Sequence, residues 1–317
     1  GNGVGNGIYS IGTYGTWSWS RTDEQAMWDN TNAWQSWFMT NSPNTEHFLF
    51  LEDEPPPADY PQIAQWTQWM SANPGVGKNL KSFAATSLLD ATASMPGLSI
   101  VGSTLAQGDT PKWDAAQSSW NAAGKQFMLY NGKHPASGSF ATEADGTDMR
   151  EIPWGQFKKG IDRWFFWESS YYNDFQTGRG MNNLFHQALT FGQDTIDDPI
   201  LGRNGYHYTN GDGVLFYPGT DTVNQADSYG VEGPIASIRL KLWRRGIQDV
   251  DYLTLAMAKN PVKTQAIVNA LVPKVLWEPG VDDPNDPSYV RTALGWNTNP
   301  DDWEAARSQL ADIIEGK

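Results

Sequence analysis

Short, uninterrupted apolar runs recur along this chain with helical patterns between them, and that alternation admits few architectures. The run His47 to Leu51 is typical. It is short and apolar throughout, as fits a strand buried on both faces of a parallel sheet. Comparable runs stand at Ile8–Tyr14, Ser82–Thr86, Leu98–Ser103, Phe127–Asn131, Trp164–Trp167 and Val214–Tyr217. Thr22 and Gln25 have capping-box spacing ahead of Met27, Trp34, Trp37 and Phe38, which predicts a helix over about Asp23–Met39. Asp59 is placed to cap a second stripe of Ile63, Trp66 and Met70, and Asn73-Pro74-Gly75 stops it. Ile235, Ile238, Leu242, Val250, Leu253 and Met257 mark a helix after the last run. Strands separated by helices predict an α/β chain with a parallel sheet, and at this length a (β/α)8 barrel. Seven runs are one short of eight strands, so one strand either escapes the pattern or lies upstream of Gly1.

The expected organisation is a Gly-rich linker over 1–7, a catalytic barrel over 8–260 and a C-terminal extension over 261–317 packed on the barrel. Pro273–Pro287 reads as a long loop, and a last helix opens at Pro300–Glu304 through Asp301. The Asp282, Asp283 and Asp286 cluster lacks the central Gly and closing Glu of a calcium loop, so a solvated turn is favoured over a metal site. His47, His134, His186 and His207 are scattered without ligand spacing, which argues against zinc. The chain has no Cys, hence no disulfide and no thiolate chemistry. It also has no nucleophile elbow and no phosphate-binding loop, and no cofactor is expected. A net charge of -14 disfavours nucleic acid and anionic lipid as partners. No apolar stretch is long enough for a membrane span, and the N-terminus carries no signal-peptide pattern. Sixteen Trp, 12 Tyr and 13 Phe are a large aromatic content, of use either in a core or in sugar binding.

In a parallel barrel, reactive groups stand where strands end. Two sets of carboxylates qualify: Asp53 with Glu54 after the run His47–Leu51, and Glu168 after Trp164–Trp167. Adjacent carboxylates at a buried strand end raise one another's proton affinity, which suits glycoside hydrolysis, where one carboxylic acid protonates the leaving oxygen and another carboxylate supports positive charge. The plainer readings are that Asp53 caps the following helix, that Glu54 makes a salt bridge, and that Glu168 pairs with Arg163, Arg150 or Arg179. Trp113, Tyr130, Trp154, Trp167, Tyr171 and Tyr172 follow or close apolar runs and are the candidate sugar-binding aromatics, against a core role for each. Trp17 and Trp19, in the first exit loop, would extend such a cleft.

Several segments together resemble glycoside hydrolase family 123. They are Asp53-Glu54-Pro55, Gly108-Asp109-Thr110-Pro111-Lys112-Trp113, Phe127-Met128-Leu129-Tyr130, and Gly211-Asp212-Gly213-Val214-Leu215-Phe216-Tyr217-Pro218-Gly219 followed by Ser237-Ile238-Arg239-Leu240 and Arg245-Gly246-Ile247-Gln248-Asp249. The likeness runs from about Phe48 to Leu255, and its last part resembles the C-terminal domain that accompanies the family's barrel. The resemblance implies a (β/α)8 barrel, a polysaccharide or oligosaccharide substrate and an extracellular or periplasmic setting. It also implies removal of β-linked N-acetylgalactosamine by substrate assistance. Carried over, Asp53 would orient the sugar acetamide and stabilise the oxazoline, and Glu54 would be the acid/base, kept protonated by ionised Asp53. This chain departs from the family in having Glu168 where a small residue follows the strand. That leaves a second mechanism open, a double displacement with Glu54 as acid/base and Glu168 as nucleophile on a sugar without an acetamide, for which the two carboxyls would stand ~5–5.5 Å apart. A non-catalytic carbohydrate-binding or surface scaffold protein is the alternative outside enzymes.

Overall fold

The computed structural model describes residues 7–103, 110–132, 137–142, 144–173, 181–186, 197–198, 203–204, 211–275 and 294–317. His134, Arg179, His207, the Gly108-Asp109 pair and the Asp282, Asp283 and Asp286 cluster lie outside them. The chain divides into two compact units, one running up to Tyr130 and the other from Asn131 on. That division falls inside the segment expected to be a single barrel.

The first unit is the strand-helix alternation expected: β1 Ile8–Ile11, α1 Glu24–Asn41, β2 Glu46–Asp53, α2 Tyr60–Ala72, β3 Lys81–Ala85, α3 Leu88–Ser94, β4 Ile100–Ser103, α4 Thr110–Ala122 and β5 Gln126–Tyr130. The five strands pair in sequence order and all in parallel. Phe48, Leu49, Phe50 and Leu51 are all buried, which a strand covered on both faces requires. Each such side chain contributes roughly 1.5–3 kcal/mol. The buried face of α1 is Met27, Thr31, Gln35 and Phe38. His47 lies flat on Phe38, ring centroids 4.0 Å apart, and hydrogen-bonds Gln35 and the Thr45 carbonyl, so it is a core histidine. Caps differ in detail from the pattern. Asp23 rather than Thr22 receives the N–H groups of Gln25 and Ala26, and Asp59 makes no side-chain cap.

The second unit holds α5 Gly146–Lys159, β6 Trp164–Phe165, the two-residue strands β7 Asp197–Asp198 and β8 Arg203–Asn204, β9 Phe216–Pro218, β10 Pro234–Ala236, α6 Ile238–Lys259, α7 Pro261–Leu271 and α8 Pro300–Glu315. β6 closes the strand order β1-β2-β3-β4-β5-β6, so the chain is α/β with a six-stranded sheet whose order begins at β1. The seventh apolar run does not extend that sheet. Its strand β9 pairs antiparallel with β10, Tyr217 opposite Ile235. The described residues thus form a six-stranded sheet, part of the barrel expected, together with the β9–β10 hairpin and the antiparallel β7–β8 pair.

Four helices of this unit share one core, built on Trp154, Leu253, Ala256, Val268, Leu271, Trp303 and Leu310. Within it Asp249, 0% exposed, accepts from Arg150 Nε at 2.9 Å, from Trp154 Nε1 at 3.2 Å and from Arg307. Arg150 also reaches Glu304 at 2.7 Å. Arg150 is therefore not a dedicated partner of Glu168. Gly246, one turn before Asp249, permits the approach, since a Cβ there would lie 3.0 Å from the Arg150 backbone. Removing one member of a buried charge network leaves the others uncompensated. Asp249→Ala is expected to cost about 3–5 kcal/mol in urea denaturation. A loss below ~1 kcal/mol would show that the network is solvated.

Candidate active site

The C-terminal edge of a parallel sheet is where loops can hold reactive groups, because helices cover both faces. In the first unit this edge carries Glu52, Asp53 and Glu54. β2 reaches it through an irregularity: Phe50 stands opposite Phe83 but Glu52 opposite Ala84, so Leu51 is the extra residue. Such a bulge re-aims the side chains beyond it. Leu51 turns its carbonyl to the indole N–H of Trp17, at 3.1 Å. Asp53 then pairs with Ala85, and the N–H of Glu54 donates to the Ala85 carbonyl at 2.9 Å. Glu54 leaves the strand at φ 43°, the left-handed region that costs a non-glycine residue of order 1 kcal/mol or more. Strain of this kind persists where the surroundings hold it, and here Ala85 on one side and Pro55 on the other do so.

The three carboxylates meet different fates. Glu52 is held by Arg21 at 3.2 Å, and Arg21 in turn lies over the rings of Trp17 and Trp66 at 4.6 and 5.5 Å and donates to the Gly15 carbonyl. Gly15, at φ 68°, leaves room for this clamp, since a Cβ there would fall 2.8 Å from Glu52 Oε1. Among the described residues Asp53 has no such partner. Its Oδ1 is buried without a hydrogen bond, and burial first, then the charges of Glu54 and Glu52, raise its pKa from 3.8 to about 6. Glu54 is exposed, and no side-chain group of the described residues hydrogen-bonds its carboxylate. Asp53 is the carboxyl that burial strips of water, and its proton affinity rises for that reason. Nor does Asp53 cap the next helix, and among the described residues Glu54 is in no salt bridge.

Around this edge stand groups that sequence reasoning missed. The phenol of Tyr60 hydrogen-bonds Thr86 and Asp90, just past β3, and burial pushes its pKa up. The indole N–H of Trp19, in the exit loop of β1, is buried without a partner, as is Asp53 Oδ1 in the exit of β2. Both atoms stand in exit loops of neighbouring strands, β1 and β2, with hydrogen-bonding capacity that the described residues leave unused. Arg21 was recoverable from its position after Trp17 and Trp19, whereas Tyr60 and Thr86 are brought in only by strand pairing.

Of the candidate aromatics, Trp113 is fully buried edge-on to Phe127, with ring centroids 5.4 Å apart. Trp154 is buried against Trp303 at 5.3 Å, and Tyr130 is buried as well. Trp17 is buried beneath Arg21 and edge-on to Trp66. These four rings pack and present no face to a sugar. Trp167, Tyr171 and Tyr172 are half-buried. They lie in the second unit with Glu168, where Trp167 and Tyr171 meet at 5.0 Å. That segment is knitted to the Gly211–Gly219 motif, the N–H of Tyr171 donating to Gly213 and the N–H groups of Leu215 and Phe216 to Ser169. Asn131, at φ 59°, receives the Trp167 N–H on its side chain at 2.8 Å. In the same motif Asp212 is raised to about 6 by burial, against the lowering effect of the Gly213 N–H and Arg239. Asp53 and Glu54 thus belong to one unit and Glu168 with its half-exposed rings to the other. Among the described residues no group of three acidic or histidine side chains is placed to hold a metal, and no helix is long and apolar enough to cross a membrane.

No protein-family model matches this chain, and no curated protein matches it. Among solved structures it is similar to a family 123 glycoside hydrolase from Clostridium perfringens, described for glycolipid glycan hydrolysis, with a TM-score of 0.52 and 14% sequence identity. The match covers 92% of this chain and 44% of that one, so the chain spans less than half the length of the structure it resembles. At this identity the likeness is one of fold.

Proposed function

We propose that the protein is a retaining glycosidase of family-123 type, acting outside the cytoplasm on β-linked N-acetylhexosamine with the sugar acetamide as nucleophile. The observation that carries this reading is the Asp53–Glu54 pair at a parallel strand end, one carboxyl half-buried and unpaired, the next exposed on a strained turn. The acetamide oxygen attacks the anomeric carbon as the glycosidic C–O bond breaks, and Glu54 gives its proton to the departing oxygen. Asp53 accepts a hydrogen bond from the acetamide N–H and balances the positive charge of the oxazolinium. Water then attacks the same carbon, its proton passing to Glu54, and the ring opens with net retention. Burial suits the first role, because an anion stripped of water gains most when positive charge develops beside it. Exposure suits the second, because the leaving group and the water both arrive from solvent.

Asp53 must be ionised to act in this way, and its pKa is about 6. The expected kcat/KM on an aryl N-acetyl-β-hexosaminide therefore falls about tenfold per pH unit below about 6. Glu52→Gln removes a negative neighbour and leaves Arg21 uncompensated, and both changes move this limb to lower pH. A limb unmoved in Glu52→Gln would assign it to another group. Hydrolysis of the aryl substrate, inhibition by a thiazoline analogue of the oxazoline and retention of configuration in the product together test the reading.

A further inference from the structure

The helical stripe Met27, Trp34, Trp37 and Phe38 does not act as one face. Met27 and Phe38 are buried, whereas Trp34 and Trp37 are half-exposed and turn aside from the core. With Tyr9 of β1 and with Asn30 and Ala33 they line a cavity of about 380 Å³ on the outside of the first unit. The lining contains no charged side chain. Phe38 forms the base of both rings, which are steeply inclined to one another: Trp34 is stacked on it at 26°, Trp37 stands edge-on at 85°. They make a floor and a wall. Among the described residues neither indole N–H has a protein acceptor, so both remain free to donate outward. Tyr9 pairs with His47, six residues before Asp53 along β2, which places the cavity ~20 Å from the carboxylates.

We infer that this cavity is a second, non-catalytic binding site for a neutral glycan. A sugar ring has an apolar face for one indole and hydroxyls for the N–H donors and the Asn30 carboxamide, and this set of groups matches it. Charge narrows the class. An uncharged lining on a chain of net charge -14 disfavours uronate or sulfated glycans. The cavity is at the small end of ligand clefts, ~300–1,000 Å³, which fits a short stretch of glycan rather than a long polymer groove. The inference does not rest on the catalytic reading, and each survives the failure of the other.

The test uses the full chain with cellotetraose, xylotetraose, galactotetraose and chitotetraose as probes, followed by the indole N–H resonances and by calorimetry. At least one probe is expected to shift the Trp34 and Trp37 resonances saturably in the wild type and equally in Glu54→Gln. Trp34→Ala and Trp37→Ala should weaken binding at least tenfold. Because these rings pack on Phe38 and their loss can disturb the fold, Ala33→Arg serves as the second variant. It fills the mouth from an exposed position and should abolish the shifts with the thermal midpoint unchanged. Three results overturn the inference: none of the probes moves these resonances, binding persists in Ala33→Arg, or the resonances move with protein concentration alone, which would make the cavity a contact between copies of the chain.

Discussion

Asp53→Asn is expected to lower kcat/KM on an aryl N-acetyl-β-hexosaminide by about 10²–10⁴-fold, while Glu168→Gln changes it less than about threefold. The asparagine keeps the shape of the side chain but cannot carry negative charge against the oxazolinium, and a lost preorganised charge in a dry site costs several kcal/mol. Glu54→Gln should fall by a similar factor on an alkyl leaving group. It should fall far less on a nitrophenolate, which departs with little help from a proton. That dependence on leaving group identifies the acid, since loss of the stabiliser affects both substrates alike. If Glu168→Gln is inactive and Asp53→Asn active, the double displacement through Glu168 replaces substrate assistance. If the wild type binds glycans and turns none over, the protein is a binding module.

A second large effect is expected far from any chemistry. Glu151, on α5, is 1% exposed, accepts the Gly138 N–H at 2.9 Å with Oε2 and has no partner at Oε1. Burial first, then the neighbouring Asp148, raise its pKa from 4.5 to about 8, against the lowering effect of the Gly138 N–H. The fold therefore holds this carboxyl neutral at pH 7. A group whose folded pKa lies above its unfolded one gives stability that is complete below about 4.5 and lost as pH rises through about 8. Across that window the loss is on the order of 4–5 kcal/mol. Urea denaturation at pH 5, 7 and 9 should show stability falling with pH in the wild type. In Glu151→Gln, which keeps the acceptor for Gly138 and cannot ionise, most of that slope should disappear. Equal slopes in the two proteins would mean that Glu151 is hydrated and ordinary.

The two outcomes expose a common difficulty in reading this chain. Asp53 was legible as a candidate because a carboxylate directly after a buried apolar run is conspicuous. That burial raises the proton affinity of Asp53 was not, because its setting depends on the bulge at Leu51 and on the Arg21 clamp on Glu52. Likewise α6 displays an apolar stripe, yet its buried residues are Arg239, Gly246, Asp249, Leu253 and Ala256, and Ile238 is 67% exposed. Hydrophobic periodicity cannot find a buried face that includes Asp249, held by two arginines, and Arg239, held by backbone carbonyls. Trp113, Tyr130 and Trp154 misled for the converse reason, since they close apolar runs because they belong to the core, while Trp34 and Trp37, read as part of a helical stripe, are half-exposed.

From residue order alone came the alternation of β1 to β5 with α1 to α4, the parallel pairing and the carboxylates after β2, since period and strand length are local properties of a chain. Tertiary structure alone decided that the last apolar run turns back as a hairpin, that burial raises the proton affinity of Asp53, and that Glu168 belongs to a different unit from Asp53 and Glu54. Each of these depends on how far water is excluded from a group and on which distant residues exclude it, and both follow from chain segments far apart in the sequence.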